Sequence, residues 1–124
     1  MTVGEILRLV DTAEPNQFEA DTKIAWLRDL DSKVFRDLVL THEHEADLEW
    51  KAPTDINDEL LIPEPYARDC YEAYLRAKIA GSNMEAVRQN QHMVMYNGAY
   101  QEYANWYNRS FRPLPAKGGN CFRF

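Results

Sequence analysis

A chain of 124 residues, 45% hydrophobic and 27% charged, has the size and composition of one globular domain, which argues against wholesale disorder. A chain of this length can bury a core without a disulfide or metal staple. Its net charge of −6 argues against nucleic-acid binding through bulk positive charge, and no apolar run reaches the roughly 18 residues of a membrane span.

Thr2 is placed to cap a first helix ending near Ala13, with Glu5 three residues on as in a capping box. The opening "MTVGEILRLV" carries an acid early and no basic stretch, so a secretory leader is not expected. Glu14, Pro15 and Asn16 break the pattern. A second helix is expected from about Phe18 to Leu40. Ile24, Leu27, Leu30, Val34 and Leu38 recur at steps of three and four, widened by Trp26 and Phe35. This long stripe marks it as the expected central helix.

Residues 41–64 lose the helical period. Pro53, Pro63 and the turn-rich "PTDIND" separate two extended candidates, "DLEWK" and "ELLIP". An irregular or weakly β-paired arm, protruding and open to proteases, is expected there. Pro65 suits the first turn of a third helix running to about Ala80, with Cys70, Tyr71, Tyr74, Leu75 and Ile79 inward. Gly81 would follow its end, and Ser82 or Asn83 would cap the next helix. A fourth helix from about Met84 to Asn108, roughly 37 Å long, must then run antiparallel to the third. From Arg109 on, "RSFRPLPAKGGNCFRF" has no period. The expected fold is all-α. A four-helix bundle-like domain covers 1–109, with an arm over about 41–64 between helices 2 and 3 and an extended C-terminal tail over 110–124.

Charge is bipolar. Residues 1–64 hold sixteen acids and six bases; residues 65–124 hold four acids and eight bases. The acidic half either solvates the 43–64 region or orients the chain in an assembly.

Candidate chemistry is sparse. His42 and His44 in "THEHE" would share a face only on a strand, and their spacing matches no metal-site template. They lie at a helix C-terminus, where cations are favoured on ordinary grounds. Replacing both by Ala should leave folding nearly unchanged. The carboxylate pairs Asp29 with Asp31, Asp55 with Asp58, and Asp58 with Glu59 fall on a polar helix face or in a turn, where solvation accounts for them. Cys70 falls on an inward face, Cys121 stands far from it in sequence, and free thiols in a reducing cytosol are expected. "GSNM" and "KGGN" match no phosphate-binding loop. No catalytic residue, metal or cofactor is expected.

Tyr96, Tyr100, Tyr103 and Tyr107 form one stripe flanked by Trp106, and Tyr66, Tyr71 and Tyr74 decorate the preceding helix. Helical spacing of this kind is first a packing feature, then an interface feature, and last a stacking platform for single strands.

The order of these parts resembles small phage and prophage proteins of Gram-positive hosts, the head–tail connector (adaptor, neck) family. Four stretches carry the resemblance: "TVGEILRLVDTAEPNQFEADTKIAWLRDLD", "LVLTHEHEADLEW" in place of the family's middle excursion, "DELLIPEPYARDCYEAYLRAKIA" with its Leu-Ile-Pro-x-Pro-Tyr start, and "GSNMEAVRQNQHMVMYNGAYQEYANWYNR" with Tyr-Asn near its middle. The resemblance implies an all-α subunit of a ring that extends the portal channel and joins capsid to tail. Its partners would be the portal and other neck or tail-completion proteins. It would self-associate on assembly, with a monomer allowed in isolation, and would bind neither membrane nor a specific nucleic-acid sequence. It would sit in the bacterial cytoplasm before assembly and in the virion neck after it. An acidic surface would keep DNA from sticking in such a channel. Trp50, Phe111, Arg112, Phe122, Arg123 and Phe124 are the candidate partner-facing residues. The tail segment carries Arg109, Arg112, Lys117 and Arg123 and no acid, so it either folds back on its own helices or docks on an acidic neighbour. Two other classes fit less of the chain: a small nucleic-acid-binding regulator using the Tyr stripe and the tail arginines, and a metal-dependent hydrolase built on His42 and His44.

Overall fold

The computed structural model describes residues 1–42 and 50–114. These are mostly helical, with α1 (Val3–Ala13), α2 (Ala20–Val34), α3 (Ala67–Ser82) and α4 (Ala86–Ser110), and no strand among the described residues.

The capping box opens α1 as expected. Glu5 donates its backbone N–H to Thr2 Oγ1 at 3.3 Å, and Thr2 donates its own to Glu5 Oε1 at 2.9 Å. Val3, Ile6, Leu7 and Val10 form the buried stripe. At the following break, Asn16 accepts the Phe18 N–H at 3.1 Å, and Lys23 reaches back to Asp11 at 2.6 Å. The Lys23 side chain is buried, so its charge leaves water only with a carboxylate in contact.

In α2, Ile24, Leu27, Leu30 and Val34 point inward as the period requires. The helix does not continue as α to Leu40. It widens into a π-helical turn over Phe35–Val39, where the Leu40 N–H bonds to the Phe35 carbonyl at 2.9 Å. The turn leaves two successive residues, Leu38 and Val39, in the core.

The central helix is α3, not α2. α3 packs against all three other helices, and α4 rests chiefly on it. Cys70, Tyr71, Leu75 and Ile79 are buried on it, and so are Ala67, Ala73, Ala77 and Ala80. Alanines make a weak hydrophobic signal, yet they let neighbouring backbones close in on several sides. α3 also runs further than expected, through Ser82. Gly81 lies within it, where a Cβ would come 2.7 Å from the Gln89 side chain. The left-handed residue at the turn is Met84, with φ 60°, and Glu85 stands at the N-cap of α4 without a side-chain cap bond. Tyr74 meets Tyr96, and Tyr66 meets Tyr103 and Trp106, a descending-against-ascending order that makes the pair antiparallel.

The connection between the π turn and α3 is folded down rather than protruding over its described part. Pro53, Leu60 and Ile62 are buried. The first N–H groups of α1, which no helix can satisfy internally, are taken by this segment. Val3 donates to the Asp58 carbonyl at 3.0 Å and Gly4 to the Ile56 carbonyl at 2.8 Å. Gly4 permits that approach, since a Cβ there would stand 3.0 Å from the Ile56 oxygen. Glu59 pairs with Thr2 in an isolated bridge, so the extended pairing of "ELLIP" is with the N-terminus. Most of "DLEWK" lies outside the described residues.

Residues 111–114 fold back on the chain. Phe111 lies 4.6 Å from the Tyr107 ring, Pro113 bridges His42, and Leu114 donates to the Thr41 carbonyl at 2.7 Å. The rest of the expected tail lies outside the described residues.

Candidate functional site

A concavity lies on the outer side of the α3–α4 pair, with a volume of about 410 Å³. From α3 it takes Asp69, Glu72, Ala73 and Arg76, at spacings of three and four that place them on one face. From α4 it takes Met95, Gly98, Ala99 and Glu102 in the same pattern, with His92 a turn earlier and Val94 at the rim. The groove exists because Ala73, Gly98 and Ala99 are small. A Cβ on Gly98 would meet nothing within 4 Å.

The charge in this groove is uneven. Asp69 and Glu102 both approach Cys70, whose thiol burial pushes up to about 12, with those two carboxylates adding to the effect. Cys70 is therefore a protonated, packed thiol at neutral pH. Among the described residues, Asp69, Glu72 and Glu102 make no ion pair. At the other end, Arg76 and Arg88 share Glu14 at the end of α1. His92 lies beside them with its Nδ1 buried and unbonded among the described residues, and burial, then Arg76, lowers its pKa.

Beyond the groove, α4 changes character along its length. Tyr103 and Tyr107 are buried in its C-terminal half. Tyr96, Tyr100 and Tyr103 step along α3 at ring separations of 5.9 and 6.4 Å, and burial raises the hydroxyl pKa of Tyr96 and Tyr103. The tyrosine stripe is thus packing, the first of its three expected roles. The N-terminal half and the turn before it face apolar side chains outward: Met84 in the turn is 91% exposed, and on the helix Val87 is 72%, Val94 70% and Met95 63% exposed.

The candidate residues named from sequence separate. Trp50 is half-buried and stacks on Phe35 at 4.7 Å. Phe111 is half-buried against Trp106 and Tyr107. Arg112 is exposed. Phe122, Arg123, Phe124, Cys121 and His44 lie outside the described residues. His42 is buried, with Nδ1 2.7 Å from the Leu38 carbonyl and Nε2 2.6 Å from the Asn108 side-chain oxygen. Among the described residues no group of three His, Cys, Asp or Glu side chains could hold a metal ion.

Asp31 corrects the expectation of solvated carboxylates. It is fully buried, accepting from the Leu61 N–H at 3.0 Å and from Tyr71 Oη at 2.5 Å. Tyr71 Oη in turn accepts the Ile62 N–H at 2.8 Å. Its neighbour Asp29 is exposed. This network sits in the core, away from the groove lining, and holds the 60–62 segment to α2 and α3. Sequence spacing carried no signal for the groove, because its opening is made by absent side-chain volume on two helices.

Set against known proteins, the chain matches no family model, no curated protein and no solved structure.

Proposed function

We propose that this chain is a structural subunit of a phage head–tail junction, an adaptor that extends the portal channel and joins capsid to tail. The observation that carries an assembly role is the two-sided nature of α4. One half is core, while the other, with the turn before it, presents Met84, Val87, Val94 and Met95 to solvent beside a small-residue groove. Contiguous exposed apolar side chains mark association surfaces more often than catalytic ones. The four stretches of family resemblance give that role its setting, and no helix of the described residues is long and apolar enough to cross a membrane. The subunit joins copies of itself into a ring and meets the portal and tail-completion proteins at its ends. A heterologous contact closes into a ring when its rotation allows.

The test is genetic and structural together. Silencing the gene in an inducible prophage should leave filled heads and finished tails unjoined, and labelled chain supplied in trans should appear at the neck of restored particles. Normal yields of joined, infectious particles without the chain would overturn the proposal.

A further inference from the structure

We infer that the α3–α4 groove is the receptor for the C-terminal segment of a second copy of this chain, which seats Phe122 and Phe124 on its apolar wall and Arg123 on its carboxylates. This rests on the adaptor reading and specifies how one subunit grips the next.

The groove offers two kinds of surface. Ala73, Ala99 and the open backbone at Gly98 form a shallow apolar floor beside Met95, which is 63% exposed. Asp69 and Glu102 stand over it without a cationic partner among the described residues. A fitting occupant is a short peptide with aromatic side chains around one base. Residues 115–124 read "PAKGGNCFRF", with two bases, no acid and an aromatic on each side of Arg123. They follow Leu114, which is anchored to Thr41 at the far end of α4 from Met84. A ten-residue segment spans up to about 36 Å when extended, enough to reach a neighbouring copy.

Aromatic side chains supply large apolar area, and an arginine beside carboxylates that lack a cationic partner among the described residues supplies direction. The contact is nonetheless small beside the roughly 800 Å² per partner of a stable complex. It is weak between free subunits and effective once copies are held together. That matches a chain that circulates unassembled and rings up on a platform.

The experiment uses the full chain and two variants, Glu102→Lys and Arg123→Glu. Glu102 is exposed, so the groove variant keeps the core, and circular dichroism with thermal melting verifies folding of both. Sedimentation velocity is run from about 10 μM to 1 mM, bracketing the weak-affinity range. The unmodified chain should self-associate with rising concentration, and each variant alone should weaken association at least about tenfold, the loss of one good charged contact. An equimolar mixture of the two variants should regain association, because an intact groove on one chain meets an intact segment on the other. Strict monomers of the unmodified chain across the range overturn the inference. So does a mixture no better than its components, the result expected if each segment filled its own groove. These readouts use purified chain alone. A failure here leaves the neck assignment to the particle experiment, and a failure there leaves the groove result standing.

Discussion

Tyr71 donates its hydroxyl to Asp31 at 2.5 Å in the interior, and no cation among the described residues pairs with that carboxylate. Burial therefore outweighs the two hydrogen bonds it receives and raises the Asp31 pKa from 3.8 to about 6. A carboxyl that holds its proton more tightly when folded makes the fold more stable where it is protonated. The contribution is full below the unfolded value and is lost as pH rises to about 6, a change of about 3 kcal/mol.

Asp31→Asn should accordingly flatten that dependence. Urea unfolding of parent and variant between pH 4 and 7 measures it, and the difference between the two curves isolates the group. Glu5 and Asp58 have lowered pKa values from backbone N–H bonds and act lower on the scale. His92, lowered by burial, acts in the opposite sense and is common to both proteins. Parallel curves would show that the carboxyl titrates as it does in the unfolded chain.

Tyr71→Phe should cost about 1–3 kcal/mol, because it strips a donor from Asp31 and leaves the buried Ile62 N–H without its acceptor. Leu27→Ala, at a fully buried site on α2, should cost about 2–5 kcal/mol through transfer and cavity terms. Both are read from denaturation midpoints. A loss under 1 kcal/mol for Leu27→Ala would place that side chain outside the core.

Local features were the legible ones. Thr2 with Glu5, and the Ile24–Leu27–Leu30–Val34 stripe, depend on residues three and four apart, and both stand where their spacing placed them. The charge of Asp31 misleads, because by spacing it stands four residues after Leu27 and seven after Ile24, on the apolar face of α2. What buries it comes from elsewhere: Tyr71 on α3 and the backbone of Leu61. The hub role of α3 was hidden by its alanines, which bury without a strong hydrophobic signature. The groove was hidden for a related reason. Ala73, Gly98 and Ala99 are informative only once two helices face each other.

Met84 gives a prediction of opposite sign. It holds φ 60° while 91% exposed, so it pays steric strain with no packing in return. Met84→Gly should stabilise the chain by up to about 1 kcal/mol, since the left-handed penalty of an L-residue is of order 1–2 kcal/mol and glycine returns part of it as chain entropy. A raised melting temperature checks it, and an unchanged or lower one would show that the strain is relieved in another way.

His42 was expected to be dispensable for folding, and the structure reverses that expectation. The ring is buried, so each nitrogen needs a partner. Nδ1 donates to the Leu38 carbonyl at 2.7 Å, and Nε2 meets the Asn108 side chain at 2.6 Å. Tyr107 stands edge-on at 4.8 Å, and Pro113 bridges the backbone. One side chain thereby joins the π turn, the end of α4 and the returning 111–114 segment. His42→Ala removes the buried bond to the Leu38 carbonyl and the contact with Asn108, and opens a cavity against Tyr107. It should cost about 1–3 kcal/mol. The loss should be uneven, with faster hydrogen exchange at the Leu114 amide, which bonds to Thr41, and little change at α1, which His42 does not touch. His44→Ala serves as the parallel variant in the same "THEHE" run. If His42→Ala matches the parent in midpoint and in Leu114 exchange, the ring is a passenger at the helix end and the fold-back of residues 111–114 stands on Phe111 and the Thr41 bond instead.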